Sequence, residues 1–288
     1  MKFALGTAQF GLDYGINNNT GRVASKKVET ILSLAREYGM DTLDTAVAYG
    51  DSETVLGSVG VTNWKVVSKL PAVPNDCSDV RRWVNKQALS SLSRLGVTRL
   101  YGFLLHRPCQ LLDKNGSSLH AALQSLKEQD LVSKIGVSVY SPAELDFLLD
   151  KYNFDMVQAP LNILDRRLVD SGWANQLKNA GIEIHTRSAF LQGLLLMSPS
   201  IRPKKFDCWS DTWIEWNRWL SATGLSPLQA CLRYLNTTDS IDRVVVGIDT
   251  IGQLEEIIKA AEGKLTNLPD FKPMQDNRLI NPASWNQL

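Results

Sequence analysis

The sequence predicts an α/β fold, a (β/α)8 TIM barrel formed by residues 1–288 as one domain, and three observations predict it. Eight short apolar runs rich in Val, Ile and Leu alternate with longer amphipathic segments along the chain. Such runs suit parallel strands covered on both faces. Nearly every run ends in a polar residue or a glycine, as the ligand-facing rim of such a barrel requires. The first run leads into Gly6-Thr7-Ala8-Gln9-Phe10-Gly11, which lacks the G-x-G-x-x-G turn of the competing doubly wound sheet.

The strands are expected at residues 2–5, 42–44, 65–69, 100–106, 134–138, 156–160, 183–188 and 243–247. After the first comes a long polar loop, residues 11–19, placed to overhang the barrel mouth. Ser25 is expected to cap a helix over 25–38, where Val28, Ile31, Leu32, Leu34 and Ala35 form an apolar stripe. Ser52 opens the helix after the second strand. Asp76 or Ser78 opens the third, which ends at Leu95 with Gly96 as its stop. A helix over 119–128 follows. Ser141-Pro142-Ala143-Glu144 opens another with a cap, an early proline and an early acid. Helices over 166–180, closed by Gly181, from Ser226-Pro227 to Tyr234, and over 251–261 complete the alternation. Trp209, Trp213, Trp216 and Trp219 share one helical face, expected to pack on the barrel, with a lid or dimer contact as the alternative.

Composition narrows the function. The net charge is +1, with 44% hydrophobic and 21% charged residues, so neither nucleic acid nor an anionic membrane is expected as a partner. The chain opens directly on an apolar strand, without the pattern of a secretory leader, and no apolar stretch approaches spanning length. The four cysteines, Cys77, Cys109, Cys208 and Cys231, form no C-x-x-C pair, which fits a reducing cytoplasm. The three histidines lie far apart, and no metal is expected. A monomer or weak homo-oligomer acting on a small molecule is the expectation.

Three consecutive strands close on an ionisable group: Asp44, Lys69 and His106, with Tyr49 five residues beyond the first. Buried ionisable groups are costly unless paired, so these strand ends are expected to share a site. An acid, an ammonium, a phenol and an imidazole together can move protons.

From Leu5 to Trp285 the chain resembles the aldo-keto reductase superfamily. The resemblance rests on Leu5-Gly6-Thr7, Asp44-Thr45-Ala46, Tyr49-Gly50, Glu53 with Leu56-Gly57, Ser68-Lys69 and His106-Arg107-Pro108. It continues through Lys134-Ile135-Gly136-Val137-Ser138, Gln158, Asn162 with Leu164-Asp165-Arg166-Arg167, Val246-Gly247 and Gln253-Leu254-Glu255-Glu256. It implies a barrel that binds NADP(H) or NAD(H) in extended form and moves hydride between the nicotinamide and a carbonyl or alcohol. By the same resemblance Tyr49 is the acid/base, Lys69 tunes it, Asp44 holds Lys69 charged and His106 donates a hydrogen bond to the substrate oxygen. A phenol's pKa of about 10 is high for this role, and a nearby ammonium lowers it.

For the cofactor, the resemblance implies that Ser138 and Gln158 hold the nicotinamide carboxamide, although Val139 stands where an Asn is usual. Arg187 replaces the aromatic that stacks on the nicotinamide in many members; a guanidinium can stack there or reach a phosphate. Glu256 matches an adenine-binding position. Gly6, Thr7, Asp44, Ser188, Gly247, Thr250 and Gln253 complete the expected contacts. The run from Gly247 to Gln253 carries no cation to grip a 2′-phosphate. Asp249 therefore leans toward NAD(H) by accepting from a ribose hydroxyl, or else it caps the helix that follows. The polar loop after the first strand, with Asn162 and Arg166 after the sixth, points to a small polar, sugar-like substrate. The competing reading is a cofactor-bound regulatory barrel with little turnover.

Overall fold

In a computed structural model of the protein, residues 2–16, 18, 21–265 and 267–288 are described. Eight parallel strands close into a barrel in sequence order. They are β1 (Phe3–Gly6), β2 (Thr42–Asp44), β3 (Lys65–Leu70), β4 (Leu100–Leu105), β5 (Val132–Ser138), β6 (Met156–Pro160), β7 (Glu183–Arg187) and β8 (Arg243–Gly247). The (β/α)8 fold is therefore the one the apolar runs predict, with only strand ends displaced.

Two apolar layers hold it together. Outside the barrel, strands and helices share one large core. Inside, Val67 of β3, Leu104 of β4 and Met156 of β6 form a separate, fully buried cluster. β3 and β6 are not neighbours, so this cluster spans the barrel's interior. Gly136 makes room for it: a Cβ there would lie 2.0 Å from the Met156 carbonyl oxygen. Tyr101 packs against the same cluster. Its hydroxyl donates to Glu183 Oε2 at 2.7 Å, and Lys134 Nζ donates to the same oxygen. Glu183 Oε1 meets His185 Nε2 at 2.7 Å. Burial pushes the Glu183 carboxyl up, but hydrogen bonds from His185, Lys134 and Tyr101 outweigh it and hold the pKa at about 2.

Helix termini differ from expectation where local bonding decides them. Ser25 is the first residue of helix Ser25–Glu37 and not its cap; extended Ala24 precedes it. Helix Val80–Leu95 is capped by Asp79, whose side chain accepts from Arg82 N–H, and it stops at left-handed Gly96. The stretch expected as one helix over 166–180 is two, Arg167–Asp170 and Trp173–Asn179, because Gly172 between them adopts φ 82°. Pro227–Asn236 opens on a full Ser226/Gln229 capping box. The tryptophan face is packing. Trp209, Trp213, Trp216 and Trp219 are all buried, and Trp216 stacks on Trp219 with centroids 5.8 Å apart. Among the described residues, no helix is long and apolar enough to cross a membrane.

Candidate active site

Strand register levels the C-terminal ends. Gly247 of β8 pairs with Gly6 of β1, and Gly6 with Asp44 of β2. Ser138 of β5 pairs with Gln158 of β6, and Arg187 of β7 lies opposite Pro160. Side chains alternate along a strand, so residues at these positions meet at the barrel mouth.

Asp44 and Lys69 form a buried ion pair, Nζ to Oδ1 2.6 Å. Lys69 also donates to the Thr45 carbonyl oxygen at 2.9 Å, and Gln158 Nε2 donates to Asp44 Oδ2 at 2.7 Å. Both carboxylate oxygens are thus held, which a buried charge requires. Burial works against the Lys69 ammonium, but Asp44 and Tyr49 beside it more than offset this, and its pKa stays above the ordinary value.

Tyr49 arrives over this pair because the chain keeps bonding to β3 after β2 ends. Thr45 N–H donates to the Val67 carbonyl at 2.8 Å and Val47 N–H to that of Lys69 at 3.2 Å. Turns from Tyr49 N–H to Ala46 O and from Ser52 N–H to Tyr49 O then fold the loop back. Lys69 Nζ lies 5.0 Å from the Tyr49 ring centroid. Ser52 opens helix Ser52–Val59, as expected, and has a second role that sequence reasoning missed. Its buried hydroxyl donates to the Thr7 carbonyl oxygen at 2.8 Å and lies 2.9 Å from Thr7 Oγ1, while Thr7 Oγ1 donates to the Asp44 carbonyl. This ties the end of β1 to the loop that carries Tyr49.

Gly11 closes the same contact. A Cβ there would fall 1.9 Å from the Tyr49 carbonyl oxygen and 2.5 Å from the Ser52 nitrogen. Gly11→Ala is therefore expected to push the Tyr49 loop away and to lower the melting temperature by roughly 3–10 °C. Calorimetry checks this; an unchanged melt would contradict the tight approach.

The His106 ring stands edge-on to Tyr49, centroids 6.0 Å apart and planes at 83°. Burial, then Lys69, Arg187 and Arg107, depress its pKa to about 4 against the opposing pull of Asp44. The imidazole is neutral at pH 7.

Tyr49, His106 and Asp44 open into a cavity of about 520 Å³ that also reaches Gly6, Thr7, Ser138, Gln158, Arg187, Ser188, Gly247, Asp249, Gln253 and Glu256. Of the residues expected to be catalytic or to hold the cofactor, Lys69 and Thr250 do not face it. Lys69 is buried beneath Asp44 and Tyr49. Thr250 is the N-cap of helix Ile251–Ala261, its hydroxyl accepting from Gln253 N–H, while Gln253 Oε1 accepts from Asp249 N–H at 2.6 Å. The cap is thus Thr250, and the Asp249 carboxylate lines the cavity, where Oδ1 accepts from Asn18 Nδ2 at 3.3 Å. Burial raises its pKa, and the Gln253 contact opposes this.

The polar loop after β1 does overhang the mouth: Tyr14, Gly15 and Asn18 line the cavity, while Asn17 and Asn19 lie outside the described residues. Asn162 and Arg166 do not line it. Asn162 is buried, donating to the Ser188 carbonyl and accepting from Leu164 and Asp165 N–H. Arg166 lies over the Phe271 ring. Sequence reasoning missed Tyr140, Phe190, Gln192 and Gly193 as lining residues. It also missed the backbone after β7: Ser188, Leu191 and Gln192 take positive φ of 64°, 49° and 53°, a costly conformation for non-glycine residues that collects at functional sites.

A family model described as "Aldo/keto reductase family" matches residues 2–268. An uncharacterized oxidoreductase, YqkF, of Bacillus subtilis is 24% identical over 305 aligned residues, covering 96% of each chain. An aldo-keto reductase from Bacillus halodurans superposes in its holo form with a TM-score of 0.71 at 20% identity, over 92% of this chain and 88% of that one. Its apo form gives 0.69 at 19%, over 89% and 91%. These structures speak to the fold, whereas the family match spans almost the whole sequence. The chain belongs to the aldo/keto reductase family.

Proposed function

We propose that the protein is an NAD(P)-dependent carbonyl reductase or alcohol dehydrogenase acting on a small polar substrate. The observation that carries this reading is the charged pair Asp44–Lys69 buried directly beneath Tyr49, with His106 edge-on to the same ring. A pair so placed costs desolvation and serves a phenol that must give up a proton.

The residues present fit a nicotinamide dinucleotide. Gln158 places an amide against Asp44, and the Ser138 hydroxyl lies beside that amide, a set suited to a carboxamide. Asp249 and Glu256 also line the cavity, where Arg187 at the end of β7 is the one Lys or Arg among the described lining residues. When bound, the cofactor supplies hydride to a carbonyl or accepts it from an alcohol.

Tyr49 Oη gives its proton to the substrate oxygen as that oxygen gains negative charge, and takes it back in the reverse direction. Lys69 sets an ammonium 5.0 Å from the centre of that ring. Asp44, held by Gln158, keeps Lys69 charged and fixed. His106, neutral at pH 7, donates a ring N–H to the same oxygen and adds no competing proton donor of low pKa. Tyr14, Tyr140 and Gln192 at the mouth suit a polar substrate.

The acid end of the cavity favours a ribose diol over a 2′-phosphate, because a phosphate there would face two carboxylates. NADH is expected to bind at least about tenfold more tightly than NADPH. Titration of each, followed by tryptophan fluorescence, tests both points. Tighter NADPH binding would overturn the preference, and binding of neither would overturn the function.

A further inference from the structure

Arg187 is the one cationic side chain, among the described residues, that lines the cavity. Its place is built. The guanidinium carbon lies 4.7 Å over the Tyr140 ring centroid. One Nη donates to the Val139 carbonyl oxygen at 3.0 Å and the other lies 3.3 Å from Ser188 Oγ. Neither acceptor is a carboxylate. Two of the five N–H donors of a guanidinium are so used, and the rest are left for the cavity. The ring of Tyr140 occupies one guanidinium face.

Other arginines with no carboxylate partner do not compete as precedents. Arg202 rests 4.1 Å over Trp213 and Arg166 lies 5.3 Å over Phe271, and neither reaches the cavity. They are packing residues. Arg187 alone pairs an aromatic brace with donors exposed to the site. It lines the same cavity as His106, and its charge helps depress that imidazole's pKa.

Asp44 and Lys69 neutralise each other, and neither hydrogen-bond partner of Arg187 carries a charge. A half-buried cation with spare donors is best satisfied by an anion, and the planar fork matches carboxylate or phosphate oxygens. We infer that Arg187 is a specificity-determining residue that receives a carboxylate or phosphate group carried by the substrate near its reacting carbonyl. The inference rests on the proposed oxidoreductase function for the word substrate, but the anion site itself does not.

The test separates the substrate from the cofactor as the source of the anion. Full-length wild type, Arg187→Gln and Arg187→Lys are titrated by calorimetry with succinic semialdehyde and with its methyl ester, with and without NAD+, which cannot reduce an aldehyde. The wild type is expected to bind the acid at least about tenfold more tightly than the ester. Arg187→Gln is expected to erase that ratio and Arg187→Lys to keep part of it, while NADH affinity stays within about threefold of wild type. Thermal melts identify a variant that fails to fold; Arg187→Lys, which keeps the charge and the long side chain, then decides, through a reduced ratio. An acid-to-ester ratio near one in the wild type, or one untouched in both variants, overturns the inference. So does a tenfold loss of NADH affinity in Arg187→Gln, which would assign the guanidinium to a cofactor phosphate. Failure to bind any nicotinamide nucleotide would sink the oxidoreductase function instead. In that case the cofactor-free titration still judges the anion site by its dependence on Arg187.

Discussion

Tyr49→Phe is expected to lower carbonyl turnover by roughly 10²–10⁴-fold while changing NADH affinity by less than about threefold. The substitution removes one oxygen and leaves the ring, so the packing over Lys69, 5.0 Å from Nζ to the centroid, is kept. What is lost is the proton held at Oη. His106 does not replace it: its pKa is pushed down to about 4, so at neutral pH it offers only a weakly acidic N–H. Lys69 does not replace it either, because its ammonium is buried and engaged by Asp44 and Thr45. Steady-state kinetics with a nucleotide titration check both halves. Unchanged turnover would mean that another group donates the proton.

Lys69→Met is expected to cost about 3–5 kcal/mol of stability in addition to activity. The Asp44 side chain is 5% exposed and that of Lys69 1%, so removing the ammonium strands a carboxylate whose remaining side-chain partner is Gln158. Asp44→Asn strands the ammonium in the same way. The double variant D44N/K69M removes both charges at similar volume and is expected to recover most of the lost stability while turnover stays low. Denaturant melts of the two single variants and the double one measure the coupling. Equal and additive losses would mean that the pair does not act as a unit. A double variant with wild-type turnover would mean that the phenol works without its cation.

How much of this was legible in the sequence follows from which forces set each part. A strand packed inside a barrel is largely apolar, so β2, β6 and β8 could be placed to the residue from the Leu, Met and Val that they carry. Asp44, Lys69 and His106 stood out because an ionisable group at the end of such a run needs a partner. The lining of the mouth was less legible. Gln192 takes its place through a backbone bond in which Ile16 N–H donates to its carbonyl oxygen at 3.2 Å, a contact between distant loops that no local pattern encodes. Ser52 reads locally as a helix start, and only the fold brings Thr7 within reach of its hydroxyl. Asn162 and Arg166 read as rim residues because they are polar and follow a strand, yet Asn162 turns inward to brace the loop after β7, and Arg166 bonds the Ile163 carbonyl and lies over the Phe271 ring. Asp249 was ambiguous in sequence between cap and ligand; Thr250 takes the cap and leaves Asp249 facing the cavity.

The measurement that tests the account most directly is a single turnover. Protein loaded with NADH is mixed rapidly with a small hydroxylated or carboxylated aldehyde, and the loss of nicotinamide absorbance is followed for the wild type and for Tyr49→Phe. The account predicts stoichiometric oxidation of bound NADH by the wild type, and a slowing of about a hundredfold or more in the variant. Oxidation at equal rates in both would remove Tyr49 from the chemistry, and no oxidation in the wild type across such aldehydes would contradict the proposed reaction.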